Sequence, residues 1–386
     1  MLFTSTLSLL PILTTLLPLP LTTATPTLPF NPYLYPKHHT TCPATDHRNT
    51  THESPISLSL SYLDINPSAP KTLILLHGWP SLWTTYRNQI DAFGEEYRLL
   101  IPEHRGFGDS EHPQDLDGSN AMFDFVNDIQ CIMDHAGVQS GVCVGNDFGA
   151  QVCWEAGRSR PDRFIGVFNV GIPTHDVTQY ISASLGFSTN EELAALNPSF
   201  SYQVYLSNTP ELAAQELDAD PRSAIRSCAQ VADSQVPEDF LLRNDTFLGP
   251  WEEFQEENGL DEIPFSGIMD EVVEDYMVKA YSKGGFYNTF NGYQHENRRF
   301  TYEFETSQGN FTLPQPTFTL YPTIDPVADW EELAVQLGSA SFLLDHYNAT
   351  IPSAHWPHEE LPDQFNEILA DWLGNVTFPE VSEKLE

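Results

Sequence analysis

Short apolar runs alternating with helical segments predict an α/β fold, with a mostly parallel sheet, helices on both faces and an inserted, mainly helical lid. Three observations carry that prediction. Leu73 to Leu76 is an unbroken apolar run, the mark of a strand buried on both faces. Strand-like and helix-like segments then succeed one another as far as Val170, the rhythm that builds parallel pairs through crossover connections. After Ile172-Pro173 the rhythm breaks, and strands resume only at Thr317 to Tyr321, a gap too long for a plain loop.

Taken in order, residues 1–24 carry no charged side chain and run through a series of leucines to Thr22-Thr23-Ala24. They read as a secretory signal peptide that lacks a basic start. Pro11, Pro18 and Pro20 count against a retained membrane helix. Residues 25–55, rich in Pro, Thr and His, form an N-terminal extension without clear periodicity. The first part of the core spans 56–172. There Ile56, Leu58, Leu60 and Tyr62 alternate with serines, the period of a half-solvated strand. Pro67 to Pro70 makes a turn, and the apolar run that follows ends in His77-Gly78-Trp79-Pro80. Residues 82–93 look helical, and the strand Tyr97 to Ile101 opens into Glu103-His104-Arg105-Gly106-Phe107-Gly108-Asp109-Ser110. A longer helix places Met122, Phe125, Ile129, Ile132 and Met133 on one face. Val142 to Val144 is the next strand, Ala150 to Gly157 a helix, and Phe164 to Val170 another strand. The lid spans 173–310 and the second part of the core 311–386. That last part holds a strand near Ser341 to Leu344 and a helix whose Phe365, Ile368, Leu369, Trp372 and Leu373 share a face.

The chain has 386 residues, and Asp+Glu number 54 against 17 Lys+Arg, a formal charge of −37. Nucleic acid and anionic membranes are therefore poor partners, since both need a basic face. Five glycosylation sequons, at Asn49, Asn244, Asn310, Asn348 and Asn375, accompany the signal peptide and point to a secreted, extracellular glycoprotein with no membrane span after cleavage. Pro in the middle of the triplet removes Asn66 and Asn197. The five cysteines are odd in number, so at least one is unpaired within the chain. Cys143 and Cys153 are expected as core thiols. A Cys42–Cys228 bridge would tie the extension to the lid, and connectivity stays open. No metal-ligand spacing appears, and no cofactor is implied.

Between Val144 and Ala150 the chain reads Gly-Asn-Asp-Phe-Gly. This is ordinary turn composition. It is also the pattern of a strand turning so sharply into a helix that the central side chain, Asp147, stands exposed at the apex. A nucleophile there needs an oxyanion hole, a base and a group to orient the base. The backbone N–H groups of Phe148 and of Trp79, in the loop after an earlier strand, are the candidate hole. His355 is the candidate base, with His346 and His358 as rivals. Asp325 is the candidate orienting acid, with Asp329 as competitor. The chain order nucleophile, acid, histidine fits.

With these residues in view, the chain from about Ile56 to Leu373 resembles the α/β-hydrolases, and within them the epoxide hydrolase branch, where Asp replaces Ser. His77-Gly-Trp-Pro80, Arg105-Gly-Phe-Gly-Asp-Ser110, Gly145-Asn-Asp-Phe-Gly149 and Ala354-His-Trp356 carry the resemblance. It implies a small apolar substrate and water as partners, and opening of an epoxide to a vicinal diol. The route is an Asp147 alkyl ester that a His355-activated water hydrolyses. It also implies two lid tyrosines that hold and protonate the epoxide oxygen. Phe200-Ser-Tyr-Gln-Val-Tyr205 puts that role on Tyr202, and Phe290-Asn-Gly-Tyr-Gln-His295 puts it on Tyr293, with Tyr205 and Tyr287 as stand-ins. Trp79 joins them in contacting substrate. Asn146, Phe148, Trp79, Ala354 and Glu103 depart from the family's usual residues and mark a divergent member. A haloalkane dehalogenase would use the same Asp-Asp-His set. A non-catalytic protein that binds apolar ligands on this scaffold is the alternative of another class.

Overall fold

A computed structural model of the protein describes residues 29–174 and 189–374, together with 376 and 378. The expected signal peptide, residues 1–24, and the acceptor Asn375 lie outside the described residues. Eight strands form one sheet: β1 (His38–Asp46), β2 (Ser54–Ile65), β3 (Thr72–Leu76), β4 (Arg98–Pro102), β5 (Gly141–Asn146), β6 (Phe164–Val170), β7 (Leu313–Pro322) and β8 (Leu343–Ile351). Their order across the sheet is β1-β2-β4-β3-β5-β6-β7-β8. β2 runs antiparallel to both neighbours, and the remaining pairs are parallel.

Helices α1 (Arg87–Phe93), α2 (Met122–Ala136) and α3 (Phe148–Ser159) connect the first core strands. Between β6 and β7 the chain leaves the sheet and builds α4 (Asn190–Leu196), α5 (Ser201–Asn208), α6 (Pro210–Ala219), α7 (Pro221–Cys228), α8 (Gly249–Asn258), α9 (Glu271–Gly284) and α10 (His295–Gln308). It returns through α11 (Trp330–Gln336), α12 (Pro357–Glu360) and α13 (Pro362–Leu373). Among the described residues no helix is long and apolar enough to cross a membrane.

The pleat divides β3 between two cores. Ile74 and Leu76 pack with Phe125, Ile129 and Val152 of α2 and α3, while Leu73 and Leu75 pack with Ile90, Phe365 and Trp372 of α1 and α13. All four strand residues are fully buried, each burial contributing about 1.5–3 kcal/mol. The lid has its own core around Leu206, Phe247, Trp251, Phe286 and Phe290, which reaches Trp79 and Trp356 of the α/β body.

The structure adds to or differs from the sequence reading at three places. Residues 38–46 of the extension, which show no clear periodicity, form β1 and pair with β2 along its whole length. As the sheet's edge, β1 buries only Cys42 and Asp46, so it has no apolar alternation to display. The last strand begins at Leu343 instead of near Ser341, since Ser339–Phe342 forms a 3-10 turn, and it continues through polar residues as the other edge. Cys143 and Cys153 are not thiols: the turn between β5 and α3 brings their Cα atoms to 5.6 Å and they are bonded. Cys42 pairs with Cys131 of α2, Cα atoms 5.9 Å apart, and Cys228 keeps the free thiol.

Residues 29–37 form a strap across body and lid. Phe30 and Tyr35 pack on Trp83, and Tyr33 packs on Tyr276 of α9. Lys37 Nζ donates to both Glu103 carboxylate oxygens at 2.8 and 2.9 Å and to Asp109 at 2.8 Å. Lys283 of α9 reaches the other Asp109 oxygen at 2.9 Å.

Candidate active site

β5 ends at Asn146 and α3 begins at Phe148, so Asp147 alone turns the chain, at φ 54° and ψ −123°. A non-glycine residue held there costs about 1–3 kcal/mol. Close packing imposes the turn. A Cβ on Gly145 would stand 2.4 Å from the Gly149 carbonyl oxygen, and one on Gly149 would stand 2.0 Å from that of Leu76. Glycine at both positions lets strand, turn and helix meet and leaves the Asp147 side chain at the carboxyl ends of the strands.

The loop after β3 supplies a donor. Trp79 N–H donates to Asp147 Oδ1 at 2.9 Å. Two buried histidines brace this loop. His77 Nδ1–H donates to the Gly78 carbonyl at 3.0 Å, and its Nε2 accepts from His104 N–H at 3.2 Å. His104 Nε2–H in turn donates to the His77 carbonyl at 3.0 Å. Burial, the largest influence, pushes His77 down to about 4, so it stays neutral in this role. The Phe148 N–H opens α3, where amides have no intrahelical partner. The Phe148 ring packs edge-on against His104 and Phe125.

His355 follows β8. Its Nδ1 lies 2.7 Å from Asp325 Oδ2, and its Nε2 lies 3.3 Å from Asp147 Oδ2. Asp325, on the loop after β7, has a buried carboxylate that accepts from Val327 N–H at 2.9 Å and Trp330 Nε1–H at 2.7 Å. Burial pulls the His355 imidazole down, but the Asp325 and Asp147 carboxylates outweigh it and lift it to about 10. It is therefore an imidazolium while Asp147 is charged. The rival residues are engaged elsewhere. Asp329 caps α11 by accepting from Glu332 N–H at 3.0 Å, His346 lies against Thr317, and His358 is buried against Thr85.

From the lid, Tyr202 of α5 and Tyr293, at the end of the 3-10 turn Tyr287–Tyr293, bring their rings to 5.8 Å at 76°. Both line one cavity with Asp147, Phe148, Val327 and Trp330. Burial first, and then the Asp147 charge among other neighbours, raises both phenols, which keeps them protonated at neutral pH. Tyr205 and Tyr287 instead interact with Glu216 and Glu211. The Trp79 ring packs edge-on to Tyr293 at 5.8 Å, with its Nε1–H donating to Thr289 Oγ1 at 3.0 Å. Asn291 fastens the Tyr293 turn to the body by donating to the Arg105 carbonyl at 3.1 Å, and the Arg105 side chain is itself paired with Asp128 at 2.7 Å.

Asp147, Asp325, His355, Trp79, Phe148, Tyr202 and Tyr293 thus converge. Asn49, Asn244, Asn310 and Asn348 are all exposed. Sequence reasoning passed over Trp330, the second donor to Asp325. Its only signal was an aromatic five residues beyond the acid, where the next helix, α11, begins. It also passed over His104, whose role depends on His77 at the end of the neighbouring strand.

The family model of the alpha/beta hydrolase fold matches residues 71–362. Epoxide hydrolase A of Mycobacterium tuberculosis is 26% identical over 320 residues, covering 80% of this chain and 92% of that protein. Bifunctional epoxide hydrolase 2 of Sus scrofa is 24% identical over 355 residues, covering 86% of this chain and 58% of the other. Among solved structures, epoxide hydrolase A from Mycobacterium thermoresistibile gives a TM-score of 0.69 at 22% identity, covering 88% of this chain and 100% of that one. At that identity the structural likeness speaks for the fold alone.

Proposed function

The chain belongs to the α/β-hydrolase fold family, in its epoxide hydrolase-like branch, and from that premise we propose that it opens epoxides to vicinal diols through an ester on Asp147. The observation that carries this reading is a carboxylate at the elbow's apex sharing one cavity with two protonated phenols.

Asp147 Oδ2 attacks an epoxide carbon, the carbon–oxygen bond breaks, and its electron pair passes to the epoxide oxygen. An alkoxide is a poor leaving group, so a phenol from the lid gives it a proton. Esterification removes the Asp147 charge and with it one of the two carboxylates that keep His355 protonated. The imidazolium can then give up its proton, which restores the phenol, and becomes the base the second half needs. Asp325 holds the Nδ1–H, so Nε2 takes a proton from water, and the hydroxide attacks the ester carbonyl carbon. The negative charge grows on the oxygen facing Trp79 N–H, with Phe148 N–H as the second donor, each worth about 3 kcal/mol. On collapse the ester carbon–oxygen bond breaks, and the leaving alkoxide takes a proton from the His355 imidazolium. The new carboxylic acid re-protonates His355, so that the diol departs and Asp147 is again a carboxylate beside an imidazolium.

One turnover in heavy-oxygen water, with enzyme in excess, should place the label in the Asp147 carboxylate. An unlabelled Asp147 after product release would sink the ester mechanism. A haloalkane dehalogenase would share the acid and base, but its leaving halide needs N–H donors. The Phe148 side chain has none, and the Trp79 indole N–H is already committed to Thr289. A binding protein on the same scaffold would have no use for nucleophile, acid and base together.

The protein is further proposed to be a secreted glycoprotein. Two disulfides support an oxidising compartment, and four of the acceptor asparagines are exposed. Protein recovered from the medium of a eukaryotic host should lose mass on deglycosylation. Retention inside the cell with unchanged mass would count against it.

A further inference from the structure

Both lid tyrosines are gripped by a small set of polar side chains that the mechanism above does not use. Gln203 follows Tyr202 on α5 and is buried. Its Oε1 accepts from Arg298 Nη2 at 2.9 Å, and its Nε2 donates to the Tyr202 hydroxyl oxygen at 3.3 Å. A guanidinium can only donate, so it fixes the amide with oxygen toward Arg298 and NH2 toward the phenol. Arg298, on α10, also points Nε at the Gly292 carbonyl, 3.4 Å away, in the residue before Tyr293. Asn190, the first residue of α4, reaches the same two segments. Its Nδ2 contacts the Tyr293 carbonyl at 2.8 Å, the Gln203 carbonyl at 3.3 Å and Ser207 Oγ at 2.7 Å.

The chemistry of this arrangement is directional. Because the Tyr202 oxygen accepts from the amide, its own hydrogen is turned away from Gln203. As that proton leaves, charge grows on the oxygen, and an amide polarised by a guanidinium steadies it. Resting on the epoxide reading above, we propose that Arg298 and Gln203 form a positioning relay that makes Tyr202 the proton donor to the opening epoxide. Burial, the largest influence on the Tyr202 phenol, raises its proton affinity, and the Gln203 bond acts against it.

Gln203→Glu separates the relay from a merely structural role. The glutamate still accepts from Arg298 and so keeps the staple between α5 and α10, but it offers no N–H to Tyr202. Gln203→Met removes both contacts. Rapid-quench single turnovers of styrene oxide would resolve alkylation from ester hydrolysis in each variant. Both should alkylate about 10- to 100-fold more slowly than wild type, with ester hydrolysis within about twofold. Gln203→Glu alkylating at the wild-type rate would overturn the relay, and would leave Gln203 as a brace if Gln203→Met alone is slow. The underlying reading has its own check. A wild type that does not open the epoxide removes the epoxide assignment itself, whereas a competent wild type with Tyr202→Phe at full rate removes Tyr202 as the donor and the relay with it. A competent wild type with a slow Tyr202→Phe and an unaffected Gln203→Glu removes only the relay.

Discussion

Asp147, Asp325 and His355 sit just beyond the carboxyl ends of β5, β7 and β8, whereas Tyr202 and Tyr293 hang from the segment inserted between β6 and β7. The floor of the cavity is positioned by backbone. The elbow is shaped by main-chain contacts at Gly145 and Gly149, and the loops that carry Trp79 and Asp325 leave the buried ends of β3 and β7. The roof is positioned by side chains. Gln203, Arg298, Asn190 and Asn291 bridge short helices that pack on an aromatic core. A backbone-built floor has one geometry, while a roof of side-chain bridges can be retuned one residue at a time. On the proposed mechanism, the floor would decide whether the ester forms, and the roof how readily the leaving oxygen is accepted.

The most severe test of the floor is Asp147→Asn. Asn tolerates positive φ, so the fold should survive while epoxide turnover falls by ~10⁴-fold or more. Residual turnover near wild type would mean the elbow is not where chemistry occurs. His355→Gln should still form the ester and lose its hydrolysis by about 10³-fold, so intact-protein mass spectrometry should find the alkyl adduct accumulating. On the roof, Tyr202→Phe should lower kcat/KM by about 10- to 100-fold and Tyr293→Phe by about 10-fold or less. Equal losses would erase the asymmetry assigned to the relay.

The last test concerns stability. The His355 imidazole is raised to about 10 by its two carboxylates, from an ordinary value of ~6.5. A proton held more tightly in the folded state contributes stability that is complete below ~6.5 and is lost as the pH climbs through the folded value. Thermal midpoints of wild type and His355→Gln should therefore converge between pH 6.5 and 10, with wild type losing more. Parallel curves would show that Asp147 and Asp325 do not hold that proton.

How much of this was readable beforehand follows from what each feature depends on. β3, β5 and β6 are buried on both faces, so they read as apolar runs, and α2 and α13 show one apolar stripe each. β1 and β8 are edges whose side chains face water, so one was missed and the other misplaced. The elbow's composition could be recognised because one of its close contacts, Gly145 against Gly149, lies within a few residues. The disulfides could not be paired, since pairing depends on which helix lies along which strand. Nor could Gln203 be linked with Arg298, 95 positions away on another lid helix, because no periodicity connects residues on separate helices.

The strap of residues 29–37 carries a consequence for biosynthesis. Everything it leans on is made after it: Trp83, then Glu103 and Asp109, and last Tyr276 and Lys279 of α9. Cys42 likewise waits for Cys131. As domains fold behind the ribosome from the N-terminal side onward, this strap runs against the direction of synthesis. Its residues leave the ribosome before the lid exists and can be seated only after α9 has formed.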